Sequence, residues 1–408
     1  MLVLNVNKFY YMRGGAERYY FALTKLLEDN GHDVIPFSMR DERNFPSGFS
    51  KYFVSNLEVG QPGLKLIKQA SRTIWSREAQ AKLSELLDGY KPDLAHLHLL
   101  YHHLSPSLLP ELKKRKIPVV MTLHDYKLIC PNYKLFTQGS ACERCNRYKY
   151  YNAVTHKCLK NSVSVSALAA AEMSVHKLMK VYEKNVDLFI APSQFVKDVH
   201  VRFGQDPGKI TVLPHFIDPA FLTLSDRLPQ PASQSAYLLY FGRLAEEKGV
   251  DKLLEIMYIY KPSLPLKIAG TGPMEAFAKG YVREKGLADR VEFLGQLASE
   301  ELARAIKGAA MVLMPSQFYE AFGFSALESI ALGTPVVATS QGALPEIITP
   351  EVGLTIPVDD HRAFAEAIKE VADWDKTKVM EAGRKLIESR YLPQIHYESL
   401  KTMYDHLI

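Results

Sequence analysis

EAFGFSALESIALGTPVVAT, residues 320–339, reads as a loop, a helix, a stop and a strand in succession. SALESIAL sets apolar residues at helical spacing. Gly333-Thr334-Pro335 ends the helix, and Val336-Val337-Ala338 follows as a buried strand. Gly323 falls just before the helix, where unpaired backbone N–H groups and the positive end of the dipole attract an anion. Glu320 and Glu328, with seven residues between them, bracket that point, and Phe322 and Phe324 adjoin the glycine. A ligand with phosphate in its middle and hydroxyls at both ends fits this layout, and a sugar nucleotide is such a ligand.

Working outward, the same alternation of strand and helix recurs along the chain, which predicts parallel sheets and an α/β fold. Residues 310–314 form the strand before Glu320. Residues 237–241 form a strand followed by Gly242-Arg243-Leu244 and then Glu246-Glu247-Lys248-Gly249. Residues 266–269 lead into Gly270-Thr271-Gly272-Pro273, where glycines let a backbone approach a ligand closely. Residues 291–294 lead into Gly295-Gln296-Leu297. Near the start, LVLNV (2–6), a loop ending in Arg13-Gly14-Gly15 and a helix over 16–30 make a Rossmann-like opening without the full G-x-G-x-x-G, so a dinucleotide is not indicated. His124-Asp125 follows a strand over 117–123. His96 and His98 would share one face of a strand and, with His102 and His103, read as acceptor-side or core histidines in preference to metal ligands.

At 408 residues the chain has room for two domains with cores of their own. The boundaries predicted are 1–213, a proline-bearing linker over 214–235, 236–390, and a terminal helix over 391–408. No apolar run is long enough for a spanning helix. The start reads as a strand without a signal-peptide pattern, so a cytoplasmic protein is expected. Charge is uneven. Residues 1–190 carry 27 Lys and Arg against 17 Asp and Glu, net +10, which leaves −5 for the rest. A basic first half suits an anionic partner such as a membrane surface or a phosphate-bearing acceptor. No nucleic-acid motif accompanies it, so nucleic acid is not an expected partner.

In these motifs the chain resembles the retaining glycosyltransferases of family four, group 1, which have the GT-B fold. Their signature is two glutamates seven residues apart around a Phe-Gly segment, then Gly-x-Pro-Val-Val. The resemblance covers nearly the whole chain and is strongest over 237–356. It implies two Rossmann-like domains with parallel sheets facing a central cleft, the first for the acceptor and the second for the donor, and a last helix that crosses back to the first domain. It implies a sugar moved from a nucleotide-diphosphate sugar to a hydroxyl of a glycan or lipid-linked acceptor, in surface polysaccharide or glycolipid synthesis, with no cofactor or metal in the chemistry. By the same resemblance Glu320 binds sugar hydroxyls, Glu328 the ribose, and His124 reaches the donor sugar. Arg243 and Lys248 hold the departing diphosphate, whose charge calls for fixed cations. Gly14 and Gly15 lie near the donor phosphates. Gly270, Gly272, Leu297, Phe322, Gly323 and Phe324 line the donor side. Two other readings stay open: a soluble-acceptor synthase or sugar-nucleotide epimerase on the same fold, and a catalytically silent sugar-nucleotide-binding subunit.

Two segments stand apart from the family pattern. Cys130, Cys142, Cys145 and Cys158, spaced C-x11-C-x2-C-x12-C in an insert over about 127–160, suit a structural tetrahedral zinc; free thiols and disulfides are the competing readings. Residues 61–88 read as a basic helix, with Lys65, Lys68, Arg72, Arg77 and Lys82 among Leu64, Ile67, Ile74 and Trp75. It is read either as a segment that docks on an anionic inner leaflet or as an ordinary surface helix.

Overall fold

Short apolar runs that are buried on both faces build the sheets, as parallel strands require. The computed structural model describes residues 1–56, 71–228 and 237–408. It divides into two units: Met1–Leu135, Glu143–Pro214 and Gln394–Ile408 form the first, Phe136–Cys142 and His215–Pro393 the second.

In the first unit, β1 (Leu2–Val6), β2 (Asp33–Phe37), β3 (Leu94–Leu97), β4 (Val119–Thr122), β5 (Leu188–Ala191) and β6 (Ile210–Val212) form one parallel sheet in the order β2-β1-β3-β4-β5-β6. Leu2–Val6 pairs with Asp33–Phe37 on one side, and Val3–Val6 with Leu94–Leu97 on the other. The strand order therefore reverses at β1, and the crevice between the ends of β1 and β3 is where such sheets place ligands. Helix α1 (Gly15–Asp29) covers the sheet with Tyr19, Tyr20, Leu23, Leu26 and Leu27, a stripe at helical spacing. The chain end belongs to this unit as well. His396 Nε2 lies 2.9 Å from the Tyr19 hydroxyl, Tyr397 bonds His32 at 2.8 Å, and Tyr404 bonds His96 Nδ1.

In the second unit, β7 (Leu238–Phe241), β8 (Leu266–Ala269), β9 (Val291–Gly295), β10 (Met311–Met314), β11 (Val336–Thr339) and β12 (Gly353–Ile356) form a parallel sheet in the order β9-β8-β7-β10-β11-β12. That is the Rossmann order, with its switch between β7 and β10. Alternate residues feed opposite faces. Leu239, Phe241, Val312, Met314, Val336 and Ala338 join one core, while Leu238, Tyr240, Met311, Leu313 and Val337 join the other. Helix α2 (Phe324–Ala331) lies on the first of these faces through Ala326, Leu327 and Ile330.

Two segments differ from the sequence reading. Residues 214–235, read as a linker, contain the helix Pro219–Arg227, capped by Asp218 through the Ala220 amide at 2.9 Å, and Ile217 and Phe221 sit in the second unit's core. One short helix with a single buried residue has too little periodicity to register in the sequence. The hairpin Phe136–Thr137/Ser140–Ala141, inside the expected cysteine insert, belongs to the second unit.

Candidate functional site

The most concentrated chemistry in the second unit lies at the ends of β7 and β10. The loop after β10 carries Ser316, Phe318 and Glu320; the short turn after β7 carries Lys248. Lys248 Nζ stands 2.7 Å from Glu320 Oε1, and Ser316 Oγ donates to the same oxygen at 2.6 Å. Glu320 is 8% exposed and Lys248 30%, so the pair is screened on the carboxylate side and open on the lysine side. Lys248 Nζ also lies 4.8 Å from the Phe318 ring centre. A fixed cation with one partner and an open side is equipped to meet further negative charge. Lys248 thus finds its partner in Glu320, 72 residues away, and not in the adjacent Glu246 or Glu247. Arg243 is exposed, and among the described residues it makes no ion pair.

Gly323 caps α2 with φ +107, and a Cβ there would stand 2.8 Å from Leu344 Cδ2. The positive φ is what calls for glycine here; the close approach is to the end of a side chain. His215 stacks on Phe324 at 5.3 Å and meets Phe322 edge-on at 5.0 Å, so an aromatic trio flanks the start of the helix. Phe322 is part of the core. Glu328 lies on the second turn and is buried. Gly270 and Gly272 make close backbone approaches, to the chain itself: a Cβ at Gly270 would fall 2.0 Å from Gly242 O, and one at Gly272 2.3 Å from Leu244 O. These glycines fasten the loop after β8 onto the loop that carries Arg243. Leu297 packs partly buried against the α2-side core.

In the first unit, His124 follows β4 and bonds His98, whose other nitrogen bonds Asn5 on β1, at 2.8 and 2.9 Å. The protons can be placed. Thr24 Oγ1 donates to Tyr20 O and accepts from Asn5 Nδ2, so Asn5 Oδ1 is an acceptor. His98 Nε2–H donates to it, His98 Nδ1 accepts from His124 Nε2–H, and His124 Nδ1 carries a lone pair. Burial pushes the His124 pKa down to about 3, which keeps the ring neutral. His96 stacks on His98 at 4.5 Å, as same-face alternation requires. It is a core residue, bonded to Tyr404 and Thr122. Asp125 Oδ1 accepts from the Tyr101 hydroxyl and the Lys127 amide, both at 2.9 Å, and burial raises its pKa. Gly14 and Gly15 begin α1, with Gly14 extended at φ −165.

The zinc expectation finds no support in the geometry. Among the described residues no three His, Cys, Asp or Glu side chains are grouped to hold a metal ion. Cys130 Sγ donates to Asn132 Oδ1 at 2.9 Å, and Cys145 is buried with Tyr150, Ala153, Ala170 and Met173, with Cys158 against them. Asp373-Trp374-Asp375 has the spacing of a metal-binding pair. Asp375 instead caps Lys376–Arg390 through the Thr377 amide, and Trp374 packs on the core. In the basic segment, Lys65, Lys68, Leu64 and Ile67 lie outside the described residues. Arg72 pairs with Glu78 at 2.9 Å and Lys82 with Glu85 at 2.8 Å, so these two cations already have carboxylate partners. No helix among the described residues is long and apolar enough to cross a membrane.

Sequence reasoning missed Ser316, Phe318 and Asn5 as parts of these sites. Ser316 and Phe318 precede Glu320 in an irregular loop, and Asn5 stands out only as an amide inside an apolar strand.

Two doubly wound parallel sheets with polar clusters at their switch points define an α/β protein of the two-Rossmann-unit class. The chain belongs to glycosyltransferase family 4: the model of that family matches residues 13–221, and the model described as glycosyl transferases group 1 matches 226–385. An uncharacterised 42.6 kDa protein in the cps region of Klebsiella pneumoniae is 24% identical over 363 residues, 85% of this chain and 87% of that one. The lipopolysaccharide core biosynthesis mannosyltransferase LpsB of Rhizobium meliloti is 37% identical over 139 residues, 31% of this chain and 38% of its own. The structure of Anabaena HepE in complex with UDP superposes with a TM-score of 0.68 at 17% identity, covering 100% of both chains. The fold accordingly matches that of known GT-B glycosyltransferases.

Proposed function

We propose that the protein is a retaining glycosyltransferase that moves a sugar from a nucleoside diphosphate sugar to a hydroxyl of a glycan or lipid-linked acceptor in surface polysaccharide or glycolipid synthesis. The Lys248–Glu320–Ser316 cluster at the switch of the second sheet is the observation that carries this reading. Lys248 turns its open side to the diphosphate, with Arg243 as the second cation, and Glu320, held by Ser316, presents its remaining oxygen to sugar hydroxyls. The start of α2 at Gly323 receives phosphate, Glu328 binds the ribose, and Leu297, Gly270 and Gly272 complete the donor side. Charge builds on the leaving diphosphate as the glycosidic bond breaks, and these fixed cations stabilise it without reorganising. The acceptor hydroxyl attacks from the same face and passes its proton to the leaving phosphate. His124 accepts a hydrogen bond from the donor sugar, and Gly14 and Gly15 lie beside the donor phosphates. UDP in HepE and lipopolysaccharide synthesis by LpsB support a nucleotide donor and a surface-glycan acceptor.

Incubation with a panel of nucleotide sugars tests the reading. One donor should be turned over with release of its nucleoside diphosphate, and Arg243→Ala should slow that turnover by about a hundredfold with the fold intact. Unchanged turnover in Arg243→Ala removes it from the site. The basic first half supports an acceptor presented on an anionic leaflet. Vesicles with acidic lipid should then bind the protein at low salt and release it at high salt; equal binding to neutral vesicles leaves a soluble acceptor.

A further inference from the structure

At the ends of β7 and β10, two loops of the second unit meet around the Lys248 ammonium. Gln317 N–H donates to Glu247 O at 2.9 Å, which ties the loop after β10 to the residue before Lys248. Gly249, with φ +69, lies so close to Pro315 that a Cβ there would stand 2.0 Å from its carbonyl oxygen. Within the loop, Gln317 Nε2 donates to Pro315 O at 2.8 Å, and Thr339 Oγ1 donates to Ser316 O at 2.6 Å. These bonds hold Phe318 beside Lys248, whose Nζ stands 4.8 Å from the ring centre.

Phe318 is half-buried and belongs to neither core of the second unit. Among the described residues its ring meets no other ring and no other cation. Packing of the sheet therefore does not account for its place. The ammonium beside it has three N–H groups, and one of them goes to Glu320 Oε1 at 2.7 Å. A lysine is a point charge on a flexible stem, so a single hydrogen bond leaves its direction loose. The face of an aromatic ring attracts a cation through its quadrupole and carries no net charge. A second carboxylate in that place would also fix Lys248, but it would oppose an incoming diphosphate. The ring holds the cation without that opposition.

We propose that Phe318 is a positioning residue for Lys248: with the ring on one side and Glu320 on another, the ammonium turns its remaining N–H toward the leaving diphosphate. Phe318 acts through Lys248 and not on a reacting atom. A cation already held needs no reorientation as charge develops on the leaving group, so the contact acts on the chemical step more than on donor binding. The proposal rests on the glycosyltransferase reading, because it takes Lys248 to meet the diphosphate.

Donor turnover by the full chain tests it, with UDP-glucose, UDP-galactose, UDP-N-acetylglucosamine and GDP-mannose as probes. On the donor that the wild type consumes, Phe318→Leu should lower kcat about tenfold and leave KM within about twofold. Phe318→Tyr and Phe318→Trp keep an aromatic face and should hold kcat near the wild-type value. Mono-, di- and trifluorinated phenylalanine in place of Phe318 changes the ring's size little and draws negative charge from its face, so kcat should fall stepwise with each fluorine. A ring that only filled space would give a flat series. A flat series, wild-type kcat in folded Phe318→Leu, or a loss carried by KM alone overturns the role of Phe318 and leaves the glycosyltransferase reading standing. Folded wild-type protein that consumes none of the four donors brings down that reading, and this proposal with it.

Discussion

The polar clusters of the two units are built in opposite ways. In the second unit one carboxylate gathers everything: Glu320 holds Lys248 and Ser316 on a single oxygen, and all three come from two loops beside one strand pair. In the first unit, neutral rings are strung across β1, β3 and β4 from Asn5 through His98 to His124. Charge concentrated on a short loop suits a ligand that develops charge. A chain of neutral donors and acceptors suits hydroxyls. Two parallel six-stranded sheets of different strand order thus carry different kinds of polar cluster at their strand ends.

Acid should separate the two units most strongly. Burial pushes His96 and His124 down to about 3 and His103, His200 and His396 to about 4, and all five lie in the first unit. These rings are neutral when folded and take up protons when unfolded. Their stabilisation is complete above the ordinary pKa of 6.5 and is lost as pH falls toward the depressed values. Each contributes a slope of about 1.4 kcal/mol per pH unit in that window. Trp75 lies in the first unit and Trp374 in the second, so Trp374→Phe and Trp75→Phe variants report each unit alone. Fluorescence should show the first unit unfolding at higher pH than the second; coincident acid transitions would erase the distinction.

Removing the central cation is the next largest change. Lys248→Ala should lower donor turnover by about 10²–10³, as loss of a transition-state donor does, and should leave the acid transition of the first unit in place. Wild-type kinetics in that variant would break the comparison on the second unit's side.

Gly323→Ala should cost about 1–3 kcal/mol, since φ +107 disfavours any side chain and the new Cβ meets Leu344. Thermal unfolding measures it, and an unchanged melting temperature would mean that the turn before α2 relaxes freely.

The smallest effect expected is at His124. A neutral acceptor of one hydroxyl is worth about 1 kcal/mol, so His124→Phe should reduce turnover roughly fivefold without altering its pH profile near neutrality. A loss as large as that of Lys248→Ala, with a new pH dependence, would make His124 a proton-transfer group.

The second unit's site was legible because its parts are local. Gly323 must precede α2 whatever packs around it, Glu328 is fixed on its second turn by helical geometry, and Glu320 lies in the short loop just before it. The Lys248–Glu320 bond was not legible, since Glu246 and Glu247 are nearer in the chain and only the β7–β10 adjacency selects Glu320. Same-face stacking of His96 and His98 follows from a period of two. Their partners Thr122, Asn5 and Tyr404 come from other elements, so the division into one core ring and one site ring appears only in the fold. The cysteine spacing encodes distance along the chain alone, while the burial of Cys145 beside Tyr150 and Met173 depends on the helix Val163–Met179.

The most direct test of glycosyl transfer with retention is time-resolved proton NMR of the full chain with UDP-glucose, UDP-galactose, UDP-N-acetylglucosamine and GDP-mannose, all α-linked donors, in the absence of acceptor. The account predicts that one donor is consumed and that its sugar first appears in solution as the α anomer. A β anomer appearing first, or no donor consumed, would contradict it.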